Sequence, residues 1–94
     1  MPHLPVTHNA AAARFEAVVD GLLCVVAYRR SPGVVDFHHT GVPPALEGRG
    51  IAAALVHQAL TWAAAEGLAV RPSCSYVRVY LQRHPELAAP TGPT

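Results

Sequence analysis

The stretch from Val42 to Ala52, VPPALEGRGIA, carries an apolar strand-like segment into a glycine-rich turn and then into an apolar helix-like run. Gly48 and Gly50 remove side chains that would hold a ligand off the backbone, and the first N–H groups of a helix have no intrahelical acceptor. With the positive end of the helix dipole, those donors favour an anion such as a pyrophosphate. Gly48, Arg49, Gly50, Ile51 and Ala52 are therefore candidate anion-binding residues, Arg49 either touching a phosphate from inside the loop or facing solvent. Cys74 is the second reactive group. In the first turn of a helix starting near Ser73 its thiolate is stabilised by the dipole; the alternative is a small buried apolar side chain. His39 stands near the end of the segment leading into the loop, where a neutral imidazole takes a proton from an incoming ammonium or simply hydrogen-bonds beside the core. Cys24, among Leu23, Val25 and Val26, reads as core.

Several chemistries are excluded by what the residues lack. A nucleotide P-loop needs a lysine, and the chain has none; GRGIAA also breaks the dinucleotide GxGxxG pattern where its third glycine belongs. The six histidines show no ligand spacing, so no metal site is expected. Ser73 and Ser75 lack a nucleophile elbow around them, and Ser73 reads better as a helix cap.

With 94 residues the chain forms one domain over residues 1–87, followed by a proline-rich tail expected to be disordered over 88–94. Only 14% of residues are charged and the net charge is +1, which gives no electrostatic footprint for nucleic acid or an acidic membrane. No apolar run has membrane-spanning length, and MPHLPVTHNAAAARF lacks a cationic region followed by an apolar one, so a cytoplasmic protein with reduced thiols is expected.

The elements that position these groups follow from spacing. Arg14 to Val19 and Leu22 to Tyr28 read as a hairpin around Asp20 and Gly21, and Pro32 and Gly33 then lead into a strand from Val34 to Gly41. Strict alternation puts Val35, Phe37 and His39 on one face of that strand, and Asp36, His38 and Thr40 on the other. An edge strand near Leu4 to His8 is also expected. From Gly50 to Glu66 the period becomes helical, with Ala52, Val56, Ala59 and Ala63 on the buried stripe and Gly67 as the stop. Leu68 to Arg71 returns as a strand parallel to the third one. Ser75 to Gln82 alternates like a strand, yet Ser73 is a good N-cap.

The loop has the form (Q/R)xxGx(G/A), met by Gly50 and Ala52 with Glu47 in first place. FHHTGVPPALEGRGIAAALVHQAL followed by GLAVRPSCSYVRVYLQRHPE resembles the small, single-domain GNAT-like proteins of the N-acetyltransferase superfamily. The resemblance implies a minimal α+β GNAT fold, a mixed and mostly antiparallel sheet with two helices, and makes Ser75 to Gln82 the second helix. It implies acetyl-CoA as co-substrate, held by the loop and by strand-end carbonyls near Val42, with an amine attacking the thioester directly or through Cys74. Tyr80, like Tyr76, falls where the superfamily places a tyrosine that protonates the departing thiolate. Glu47 departs from the usual Arg or Gln and puts a carboxylate near the pyrophosphate. The early helices and last strands of larger members are missing, which leaves the acceptor, a small-molecule or protein amine, small, exposed or enclosed by a second subunit in a homodimer. Three functions fit: an N-acetyltransferase, a non-catalytic acyl-CoA-binding module, or an interaction protein retaining the fold.

Overall fold

The computed structural model describes residues 4–87, so the tail reading for 88–94 lies outside the described residues. A five-stranded sheet runs in sequence order: β1 (Thr7–Asn9), β2 (Arg14–Val19), β3 (Leu22–Ser31), β4 (Val34–Gly41) and β5 (Ala69–Arg71). The first four strands are antiparallel neighbours, and β5 is parallel to β4. Helix α1 (Ile51–Ala65) makes the crossover between those two, and α2 (Ser75–Arg83) follows β5. The expected α+β architecture is the one observed. The edge strand lies at Thr7–Asn9, after Pro5, whose missing N–H cannot enter a ladder. Strand β3 runs on to Ser31, because its last residues pair with Val34 and Val35 across the Pro32–Gly33 turn.

Alternation along β2 and β3 turns Phe15, Ala17, Cys24, Val26 and Tyr28 to one face of the sheet, where they pack with Val35 and Phe37 from β4. Helix α1 covers that face. Its buried stripe is Ile51, Leu55, Val56, Ala59, Leu60 and Ala63. Ala52, expected on this stripe, is only half-buried; Leu55 and Leu60 take the deeper positions because their larger side chains bury more apolar area. The helix ends in a Schellman motif, Leu68 N–H bonding Ala63 O and Gly67 N–H bonding Ala64 O, and Leu68 turns back into the core. Val77 is the buried anchor of α2. The opposite face of the sheet carries no helix and leaves Val18 and Leu23 exposed.

One irregularity reverses the expected faces of β4. Tyr28 pairs with Phe37, but the preceding Ala27 pairs with His39, so His38 has no cross-strand partner. This bulge flips everything that follows it. His39 is exposed on the helix-free face, not beside Val35 and Phe37 as strict alternation predicts, and Thr40 turns to the helical side.

β1 is fixed by an aromatic cluster. His8 stacks on Phe15 with centroids 4.1 Å apart, meets Trp62 of α1 edge-on at 4.7 Å and shares a 2.6 Å hydrogen bond with the Tyr28 hydroxyl. Burial, and secondarily the charge of Arg30, lowers the His8 pKa below its ordinary 6.5. A depressed value means that the unfolded chain protonates first as the pH falls. His8 therefore contributes full stability above pH 6.5, and loses it as the pH drops from there toward the folded-state value. The thermal midpoint of the wild type should decline over that interval, and in His8→Phe the decline should be shallower; equal slopes would remove His8 from this role.

Candidate functional site

The segment after β4 is pulled into place from both ends. Pro43 and Pro44 open a 3₁₀ turn at Pro44–Leu46, and Leu46 is buried in the core. Five residues later Ile51 is buried as well. Between these anchors the chain turns through Gly48 and Gly50, whose φ values of 83° and 80° lie in the left-handed region that favours glycine. Gly50 is the N-cap of α1 and offers no side chain to the helix start. Its carbonyl accepts the first intrahelical bond, from Ala54 N–H at 3.1 Å, so the amides of Ile51, Ala52 and Ala53 have no helical acceptor.

Those amides border a cleft of about 490 Å³ lined by Thr40, Gly41 and Val42 of the strand side, Leu46 to Gly48 and Gly50 to Ala53 of the loop, and Tyr76 of α2. The structure thus brings together Val42, Glu47, Gly48, Gly50, Ile51 and Ala52 from the sequence-derived set. Arg49 does not join them: its guanidinium bonds Asp20 in the β2–β3 turn at 2.9 Å. Opposite charges on two exposed turns meet there, so the expectation of an arginine inside the anion site is corrected. Among the described residues no cationic side chain lines the cleft.

Beyond Asp36, β5 no longer pairs with β4. The start of α2 fills part of the vacated edge, Cys74 N–H donating to Phe37 O at 2.9 Å. Cys74 is itself the N-cap of α2, and Ser73, expected to cap, lies one residue outside the helix. The Cys74 sulfur is 3.4 Å from Thr40 Oγ1, so the thiol stands behind a cleft residue instead of lining the cleft. Burial raises its pKa, but the Thr40 hydroxyl and the backbone of Val77, Tyr76 and Thr40 outweigh burial and leave it lowered. None of the helix amides closes a capping hydrogen bond to the sulfur; the effect is their dipoles'. Cys24, fully buried, is pushed up by desolvation. Both cysteines are free thiols.

Tyr80 is drawn elsewhere. Its hydroxyl lies 3.4 Å from His57 Nδ1 and its ring stacks on His84 at 4.2 Å, because α2 runs alongside α1 and carries Tyr80 one turn past the cleft. Tyr76 takes the place at the cleft. Desolvation raises its pKa, so the phenol keeps its proton at neutral pH. Thr40 and Gly41 were missed because only the β4 bulge decides which of these residues face the cleft. His39 lies on the other side of the sheet. Among the described residues no group of His, Cys, Asp or Glu side chains gathers as a metal site, and no helix is long and apolar enough to cross a membrane.

Comparison with known proteins bears on the family and the fold. Residues 14–89 match the family model described as GCN5-related N-acetyl-transferase. The chain is similar to Protein NATD1 of Gallus gallus and of Homo sapiens, each 40% identical over 52 residues. That match takes in 55% of this chain and about half the length of these relatives, 47% and 46% respectively. The NMR solution structure of a GCN5-like protein from Staphylococcus aureus superimposes with a TM-score of 0.71 at 23% identity, covering 93% of this chain and 86% of that one, and so shares the fold.

The two thiols provide a direct test of the site's electrostatics. A maleimide should modify Cys74 in the native protein while Cys24 stays unmodified. Thr40→Val, which removes the hydroxyl beside the sulfur, should slow labelling of Cys74 by up to about tenfold, the thiolate fraction carried by one pKa unit. Equal rates in wild type and variant would show that Thr40 does not tune the thiol.

Proposed function

The chain belongs to the GCN5-related N-acetyltransferase family, and from that premise we propose that it transfers an acetyl group from acetyl-CoA to a primary amine, with the co-substrate in the glycine-loop cleft. The observation that carries this reading is the set of unclaimed helix amides at Ile51, Ala52 and Ala53 facing a cleft that continues along an unpaired strand edge. The amides and the helix dipole suit the pyrophosphate. The free edge of β4 at Thr40 and Gly41, with Val42 just after it, suits the amide-bearing pantetheine arm, which can hydrogen-bond to it as a missing strand would. Phosphate binding then rests on neutral donors.

In the reaction a neutral amine attacks the thioester carbonyl carbon. The new C–N bond forms, the C–S bond breaks, CoA leaves as the thiolate, and the proton released by the nitrogen ends on that sulfur. In this reading Tyr76, a protonated phenol of the cleft lining, donates a hydrogen bond to the departing thiolate. Cys74 offers a second route, accepting the acetyl group on its sulfur before the amine does. The carboxylate of Glu47 at the cleft favours a second reading, a weak acyl-CoA binder without turnover.

Gly50→Asp tests the co-substrate site, since aspartate tolerates the left-handed conformation and adds a charge at the phosphates. Unit charges about 4 Å apart near a protein surface repel by about 4 kcal/mol. Calorimetry should show the folded variant binding CoA roughly a thousandfold more weakly; unchanged affinity would move the site elsewhere. For the chemistry, folded Cys74→Ala should keep turnover if the amine attacks CoA directly and lose most of it if the acetyl group passes through sulfur. Wild-type protein that binds acetyl-CoA yet acetylates no amine in a broad panel would leave the binder reading.

A further inference from the structure

The helix-free face of the sheet holds a second hollow, of about 570 Å³, directly behind the cleft. Its floor is apolar, built from Leu23, Val25 and Ala27 of β3, and Gly41 and Val42 belong to both hollows. Those two residues form the wall between them, at the stretch where β4 has lost β5. A Cβ at Gly41 would come within 2.9 Å of His39 Nε2, the far end of an exposed side chain. The imidazole therefore lies over the one position of the wall that has no side chain. The bulge at His38 is what delivers it to this face.

Across the sheet the register sets Arg14, Ala27 and His39 in one row. Arg14 and His39 are then two strand spacings apart, roughly 10 Å between Cα positions. Ala27 between them is small enough to leave a trough. No carboxylate lines the hollow; the nearby Glu16 already bonds Arg14 Nε and Asn9 Nδ2. Glu16 is already ion-paired with Arg14 and is not free for the second ammonium of an oligoamine, whereas a carboxylate would find the Arg14 Nη donors that this pair leaves open.

We propose that this hollow is the acceptor site and that it takes an amine carrying a carboxylate at the far end of a short methylene chain, an ω-amino acid. The carboxylate rests on Arg14, the methylenes lie over Ala27 and Val25, and the ammonium reaches His39 above Gly41. His39 takes one proton from the ammonium. The freed amine attacks the thioester carbon around the chain edge at Gly41 and Val42, which β5 does not cover, forming the C–N bond; the C–S bond breaks, and the thiolate receives the second nitrogen proton. This inference rests on the acetyltransferase reading of the cleft.

The test uses 6-aminohexanoate and 1,6-diaminohexane with the intact protein. Titration of wild-type protein with 6-aminohexanoate, followed by amide NMR, should shift Leu23, Val25, Ala27 and His39 without any variant being made. With acetyl-CoA present, its kcat/KM should exceed that of 1,6-diaminohexane at least tenfold, and Arg14→Gln should erase that preference, read as the ratio of the two kcat/KM values in the same variant. His39→Asn should lower kcat on the order of a hundredfold with the acetyl-CoA dissociation constant unchanged. Shifts confined to other residues, equal or better use of the diamine, or full activity in His39→Asn would overturn the acceptor site alone, since acetyl-CoA would still bind. Failure of the wild type to bind acetyl-CoA would overturn the acetyltransferase reading and this inference with it.

Discussion

Strand β4 keeps hydrogen-bonded neighbours on both sides only as far as Asp36; from Phe37 to Gly41 it is paired to β3 alone. Backbone groups left without partners must find them elsewhere, and most of the site follows from that requirement. Phe37 O is taken by the Cys74 amide, which docks the start of α2 against the sheet and sets the thiol beside Thr40. The remaining edge faces the cleft, together with the amides of α1's first turn. A linear ligand with amides at one end and phosphates at the other is complementary to both.

Holding the glycine loop steady requires buried anchors, because a turn through two left-handed glycines has little stiffness of its own. Leu46 and Ile51 supply them from either side of the loop. Burial of such side chains is worth about 1.5 to 3 kcal/mol each, enough to fix the loop's ends while its tip stays exposed. The same economy explains the two-layer architecture. One sheet face is covered by α1 and α2, and the other, free of helices among the described residues, carries charged residues such as Arg14 beside the apolar Leu23, Val25 and Ala27.

The electrostatics of the site are those of dipoles more than of ions. Among the described residues the cleft lining includes one acidic residue, Glu47, and no cationic one, so the donors it offers an anion are amides whose alignment the helix maintains. Cys74 is tuned in the same way. A hydroxyl and several backbone groups, with no charged partner, overcome the desolvation that pushes Cys24 in the opposite direction. Tyr76 and Tyr80 are both raised by burial, yet only Tyr76 borders the cleft.

Local sequence determined the elements and the loop. Turn pairs at Asp20–Gly21 and Pro32–Gly33, the change from period two to period 3.6 after Gly50, and the stop at Gly67 are short-range signals, and each coincides with an observed boundary. The turn within VPPALEGRGIA was equally legible, although two glycines before an apolar helix fit an ordinary turn as well as an anion site. What tertiary structure alone decided is which side chains meet there. A single unpaired residue at His38 reversed the face of His39 and turned Thr40 toward Cys74, and nothing in a pattern of alternating residues marks a bulge. Arg49 left the loop because Asp20, distant in sequence, happened to be near in space, and Tyr80 left the cleft because of how α2 lies on α1. Hydrophobic period and backbone propensity act over a few neighbouring residues, whereas register and ion pairing depend on where separate segments come to rest against one another.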